Sequence, residues 1–130
     1  MNNPYTILFV EYVTDILLSG TELFRGLGHR VVPKKNMCGV SDKDYSTSDC
    51  ILAHPPMNGK EIERLRKLMD KYPQTGVILN TGKDEGKGGI YSKLETDIRG
   101  TIFLTKPYDY EDLVEAMDKA VEQAKERASH

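Results

Sequence analysis

The sequence predicts a three-layer α/β domain built on a doubly wound, five-stranded parallel sheet. Short apolar runs alternate with helix-type periodicity about five times along 130 residues. The runs are continuously apolar, as strands covered on both faces are. The length suits one domain, since domains cluster at about 100–150 residues. Residues 1–130 are therefore read as a single domain.

Each element has its own warrant. Residues 5–10 (YTILFV) read as a buried strand. From Asp15 the pattern turns helical, with Ile16, Leu17, Phe24 and Leu27 on one apolar face and Leu23 beside them. Gly26 and Gly28 end this helix, Gly28 as a left-handed stop. Val31 and Val32 begin a second strand, whose pairing Pro33 limits. Residues 34–48 hold only Met37, Val40 and Tyr45 as apolar anchors, and predict a loop or one short helix. Residues 50–53 (CILA) form a third strand and residues 54–59 (HPPMNG) a loop. Asn58 and Glu61 have capping-box spacing for a helix with Ile62, Leu65, Leu68, Met69 and Tyr72 inward, stopped by Pro73. Residues 76–79 (GVIL) are a fourth strand, followed by a glycine-rich loop over residues 81–89. Ile90, Leu94 and Ile98 predict a helix ended by Gly100, and residues 101–104 (TIFL) a fifth strand. Asp109 caps a last helix running to about residue 129, with Leu113, Met117, Val121 and Ala124 inward.

Composition narrows the function classes. Hydrophobic residues are 38% and charged residues 29%, which suits a chain with a core of its own. A net charge of −2 lacks the basic excess of a nucleic-acid binder. The apolar run over residues 7–10 is strand-sized, far from the ~20 residues of a membrane span. The N-terminus has no basic region followed by an apolar one, so no signal peptide is expected. Cys38 and Cys50 lack metal or redox spacing and are expected to be free thiols in a reducing, cytoplasmic setting.

In a doubly wound sheet, ligands and chemistry sit beyond the carboxyl ends of the strands. The residues at those positions are Glu11 and Tyr12, His54 and Pro55, Asn80 and Thr81, and Thr105 and Lys106. With them the chain resembles the receiver domain of bacterial response regulators (CheY-like) over nearly its whole length. Glu11, the first helix, Leu27-Gly28 and the second strand fall in family register without a gap. Asp49-Cys50-Ile51-Leu52-Ala53 takes the place of the third strand, and Leu79-Asn80-Thr81-Gly82 that of the strand ending in a hydroxyl and a small residue. Phe103-Leu104-Thr105-Lys106-Pro107-Tyr108 matches the family's aromatic, Lys-Pro and following aromatic. The resemblance implies a flavodoxin-like sheet topology.

The resemblance also implies what is missing. In the family an aspartate ending the third strand attacks a phosphoryl group. Two acids after the first strand help hold Mg²⁺, which takes oxygen ligands. Here His54 stands at the phosphoacceptor position and Tyr12 replaces the second acid, leaving Glu11. Thr81 and Lys106 are retained, and Phe103 occupies the switch-aromatic position. Three carboxylates and a lysine would give −2 for a divalent ion to neutralise, whereas Glu11 and Lys106 cancel. His54 is mostly neutral at pH 7 at a reference pKa of ~6.5. Mg²⁺ binding is therefore expected to be lost or weak, and no other cofactor is implied. Asp15, Asp84 and Glu85 are the acids that could restore the pocket.

The expected function is a pseudo-receiver: a protein-interaction module of two-component signalling that acts without aspartyl phosphorylation and is not itself an enzyme. Its degenerate pocket comprises Glu11, Tyr12, His54, Thr81 and Lys106, with Glu11 and Lys106 paired, Tyr12 as an aromatic lid and His54 filling the vacated space. Phosphorelay through an unconventional residue, and an anion- or small-molecule-binding module using Lys106 and Thr81, stand as alternatives. In the family the face formed by the fourth helix, fifth strand and fifth helix is a partner or homodimer surface. Tyr91, Tyr108 and Tyr110 lie near it, and tyrosine is enriched at interfaces. Residues 82–89 (GKDEGKGG) lack the spacing of a phosphate-binding loop and read as a surface loop. His29 is read as isolated, in a turn.

Overall fold

The computed structural model describes residues 4–53, 59–81, 101–105 and 109–129. In chain order the elements are β1 (Thr6–Val10), α1 (Thr14–Gly26), β2 (Arg30–Lys34), a 3₁₀ turn (Met37–Gly39), α2 (Asp42–Ser46), β3 (Cys50–Ala53), α3 (Gly59–Lys71), β4 (Gly76–Thr81), β5 (Thr101–Thr105) and α4 (Tyr110–Ala128). The strands form one five-stranded sheet in the order β2-β1-β3-β4-β5, every neighbouring pair parallel. That is the doubly wound order in which the chain reverses direction across the sheet beside β1 and β3. Sequence periodicity and the sheet agree on this architecture, and Pro33 falls on the edge strand, where a missing N–H costs least.

Alternation along each strand builds two cores. Leu8, Val10, Ile51, Ala53, Val77 and Leu79 face one way and pack with Met37, Val40, Tyr45, Leu65 and Leu68. Ile7, Phe9, Cys50, Leu52 and Ile78 face the other way and pack with Leu17, Phe24, Leu113, Met117 and Ala120. The sheet is thus the middle layer, with α2 and α3 on one side and α1 and α4 on the other. This is why the strand sequences are apolar at successive positions.

The segment after β2 resolves into the 3₁₀ turn and the five-residue α2, closed by a Ser41–Asp44 capping box. Its three apolar residues, Met37, Val40 and Tyr45, are all buried. Helix α1 ends as the glycines suggest. Gly28 has φ +97°, the His29 N–H donates to the Phe24 carbonyl at 3.1 Å and the Gly28 N–H to the Arg25 carbonyl at 3.0 Å. This is the paired hydrogen bonding of a Schellman stop. Asp109 caps α4 through a capping box with Asp112. The expected Asn58 cap and the helix expected over residues 90–98 lie outside the described residues.

One expectation needs correction. The inward face of α1 is Leu17, Thr21 and Phe24, whereas Ile16 is 44%, Leu23 57% and Leu27 45% exposed. Apolar residues occupy more than half of the helix circumference, so hydrophobicity alone leaves its rotation open. Close approach decides it: a Cβ on Gly20 would lie 2.6 Å from the Phe9 ring. Helix α1 rests on β1 at that glycine, which fixes which side chains turn inward.

Candidate functional site

Of the predicted pocket residues, Glu11, Tyr12 and Thr81 lie at the carboxyl edge of the sheet. The register sets Val10 beside Ala53 and Ala53 beside Leu79. Thr81 ends β4 opposite Thr105, the last residue of β5. Glu11 follows β1 directly, its N–H donating to the Lys34 carbonyl at 3.0 Å, and the residue is 1% exposed. A carboxylate is rarely buried to that degree without an interaction, and Glu11 has one. Tyr12 is 51% exposed. Phe103 sits within β5 opposite Leu79. His54, Tyr91, Lys106 and Tyr108 lie outside the described residues, as do Asp84 and Glu85.

Two acids are excluded from this edge or from its interior. The Asp49 carboxylate accepts from the Thr6 N–H at 2.8 Å, at the start of β1 and β3, the opposite edge of the sheet. Asp15 is exposed in the first turn of α1. Among the described residues, no group of three or more His, Cys, Asp or Glu side chains could hold a metal ion. Mg²⁺ demands octahedral oxygen coordination, and the described residues contribute one buried carboxylate, Glu11, to it.

Glu11 also forms part of a cleft between α1 and α4. Its walls are Phe9, Phe24, Leu52 and Leu113 below, with Ile16 and Leu23 of α1 on one side. Ser19, Gly20, Asp109 and Tyr110 complete it, enclosing a volume of about 400 Å³. The partial exposure of Ile16 and Leu23 has its explanation here, since they border a space that no described side chain fills.

Tyr110 faces this side of the molecule. Its ring packs against the α1–α4 core, and its hydroxyl lies 3.3 Å from Nε2 of His29. His29 is not isolated, as its sequence context suggested, but buried. Its Nδ1 accepts from the Tyr5 N–H at 3.0 Å, and its ring lies parallel to that of Tyr5 at 6.1 Å. Tyr5 in turn donates its hydroxyl to Asp118 of α4. Sequence periodicity offers no signal for this cluster, because its members come from two connecting segments and α4, far apart in the chain. The cleft had one signal, Gly20 within a helical pattern, which marks close packing.

Comparison with solved structures gives the same fold. The chain superimposes on a response regulator receiver domain protein from Clostridium thermocellum with a TM-score of 0.71 at 21% identity, covering 92% of this chain and 96% of that one. A CheY-like receiver domain protein from Methanospirillum hungatei gives 0.70 at 19% identity, covering 95% and 98%. A structure described as adenylate cyclase from Rhodopirellula baltica gives 0.67 at 18% identity, covering 98% and 94%. No family model and no curated protein matches the sequence. The chain therefore has the flavodoxin-like fold of receiver domains, and proteins with differently described activities share it.

Proposed function

We propose that this chain is a pseudo-receiver, a signalling module that binds protein partners without aspartyl phosphorylation. One observation carries the reading. Among the described residues, the sheet edge that holds the acid cluster in receivers has here a single buried carboxylate, Glu11, followed by an exposed Tyr12, and the sequence continues β3 into His54. A pocket of that composition has no carboxylate nucleophile at the end of β3 and a weak field for a divalent cation. In this reading Lys106 pairs with Glu11, Thr81 is a strand-end hydroxyl, and Phe103 is a packed ring. The partner surface is the side of the sheet bounded by β5 and α4, with Tyr91 and Tyr108 contributing, and a homodimer through it is one form of the interaction. Tyr110 has its hydroxyl turned toward His29 and serves that face less than the sequence alone suggests. We assign the module to the cytoplasm, with no turnover of its own.

The test is intact-mass spectrometry after incubation with acetyl phosphate and Mg²⁺. The expected result is no added phosphate. A phosphate that His54→Ala removes would overturn the reading in favour of a histidine-phosphorylated regulator. A phosphate lost on changing Asp15, Asp84 or Glu85 would favour an unconventional acidic site.

A further inference from the structure

Among the described residues, every large apolar side chain that stands exposed comes from one stretch of chain: Tyr12, Ile16, Leu18, Leu23 and Leu27. Single exposed apolar residues scattered over a surface are ordinary, whereas a contiguous set marks a contact site. Four of the five fall in line. Ile16 and Leu23 are seven residues apart and Leu23 and Leu27 four, spacings that share one helical face, and Tyr12 extends the line just before α1 begins. Leu18 does not join them, because two positions past Ile16 it lies about 200° round the helix. Asp15 and Glu22 are exposed at about 100° from the line, so they border it rather than interrupt it.

We propose that this face of α1 is a homodimer interface, seated on the α1 of a second copy of this chain across a two-fold axis. The line is symmetric about the Ser19–Gly20 peptide: Ile16 and Leu23 stand equally far to either side of it, and so do Tyr12 and Leu27. A two-fold contact sets one patch against itself. Two antiparallel copies of α1 therefore place Ile16 on the partner's Leu23 and Tyr12 on the partner's Leu27. Ser19 and Gly20 fall at the crossing, where small side chains let the helix axes approach. Ile16 and Leu23 also border the cleft of about 400 Å³ between α1 and α4, whose walls include Phe9, Phe24 and Leu113. Ridge and recess lie side by side, so each copy's ridge enters the other's recess and water leaves both. The area suffices. Four half-exposed large side chains, at roughly 100 Å² each, offer about 400 Å² of apolar surface, within the ~300–600 Å² of patches that mark interaction sites. The exposed Asp15, Ser19 and Glu22 beside them carry each copy past the roughly 500 Å² per side that a specific interface needs. This contact is separate from the surface bounded by β5 and α4, and it does not depend on whether the chain is a pseudo-receiver.

The experiment is sedimentation equilibrium of the full chain from about 1 μM to 1 mM, the span of moderate to weak association, with oxidative cross-linking of Ser19→Cys in a Cys38→Ser background. The expected result is a reversible monomer–dimer equilibrium. Leu23→Glu is expected to weaken it by about tenfold or more, as loss of a central apolar contact does. Leu18→Glu, comparably exposed on the other side of the helix, is expected to leave it unchanged. Ser19→Cys should form an intermolecular disulfide, and Leu18→Cys in the same background should not. A chain that stays monomeric throughout, including one whose α1 instead takes up another protein or a lipid vesicle, would overturn the proposal. So would a dimer untouched by Leu23→Glu, whose contact would then lie on another face such as that of β5 and α4, or a dimer weakened equally by Leu18→Glu. Should Leu23→Glu fail to fold, the two cysteine variants still decide it.

Discussion

The imidazole of His29 takes a hydrogen bond from the backbone N–H of Tyr5, Nδ1 to N at 3.0 Å, tying the start of β1 to the turn after α1. That bond requires Nδ1 to be unprotonated, which leaves the ring proton on Nε2 and makes Nε2 the donor to Tyr110. Burial holds the His29 pKa below its ordinary 6.5. The charged groups around it are few: Asp118 is engaged by the Tyr5 hydroxyl, and Arg25 donates to the Val31 carbonyl. In the window below 6.5 the unfolded chain takes up a proton that the folded chain refuses. Stability therefore falls as pH drops through that window, and levels off below the folded value. Urea unfolding of the wild type and His29→Gln across about pH 8 to 5, either side of the ~6.5 reference, checks this. The wild type should lose stability toward acid more steeply than the variant; parallel curves would refute the assignment.

Gly76 is held against the backbone of α4. A Cβ at this position would lie 2.7 Å from both the carbonyl carbon and the carbonyl oxygen of Ala120. Backbone atoms within a helix cannot step aside as a side chain can. Gly76→Ala should therefore push α4 off the sheet and destabilise the chain by about 1–3 kcal/mol, the range of overpacked cores. The gain from reduced unfolded-state entropy, about 0.4–1 kcal/mol, is too small to reverse the sign. Adding Ala120→Gly should recover little, because the clash is with the main chain. A neutral or stabilised Gly76→Ala, read from urea midpoints at unchanged slope, would show that the two elements are not pressed together there.

Much of this fold is written in pattern, and particular residues show where pattern stops. Strands β1, β3 and β4 are legible because both faces are covered, so Ile7–Val10, Cys50–Ala53 and Val77–Leu79 are continuously apolar. Capping residues Asp109 and Gly28 are legible because their roles depend only on near neighbours. Helix α2 has five residues, too few for a 3.6-residue period to register, and Met37, Val40 and Tyr45 find their common core only through tertiary packing. The rotation of α1 is hidden for the opposite reason: Ile16, Leu18, Leu23 and Leu27 supply apolar side chains that the structure leaves outside. The site was half legible. Glu11 and Thr81 could be placed by strand order, whereas the cleft beside Glu11 depends on how α1 and α4 sit, which no local pattern encodes.

Asp42 gathers three donors from α3 and its end: Lys71 at 2.8 Å, Arg64 at 2.9 Å and the Tyr72 hydroxyl at 3.0 Å. The Lys71 hydrogen bond leads the causes that hold the carboxyl well below its ordinary 3.8, followed by Arg64 and Tyr72. A depressed acid contributes stability that is fully present above the unfolded value and is lost as pH falls through the folded one. Asp42→Asn should therefore destabilise the chain at neutral pH. The deficit relative to wild type should hold down to about pH 4 and shrink below it. The group is solvent-facing, so added salt should also narrow the gap. A deficit that neither acid nor salt changes would mean that Asp42 acts by shape rather than by charge.

The two cysteines should differ sharply in reactivity. Cys38 is exposed in the 3₁₀ turn, and Cys50 is fully buried at the start of β3. Burial pushes the Cys50 thiol up to about 12, and the neighbouring charge of Asp49 adds to the effect. The thiolate is the reactive form. At pH 8 the thiolate fraction of Cys50 in the folded chain is then only about one part in ten thousand, before any steric barrier is counted. An aromatic disulfide reagent should accordingly titrate one thiol per native chain, and two after denaturation. In Cys38→Ser the native chain should be inert, and the slow labelling that remains should track global opening, because β3 is central to the sheet and cannot be exposed by local fraying. If both thiols reacted at comparable rates under native conditions, β3 would have to open independently of the rest of the sheet, contrary to its pairing with β1 on one side and β4 on the other.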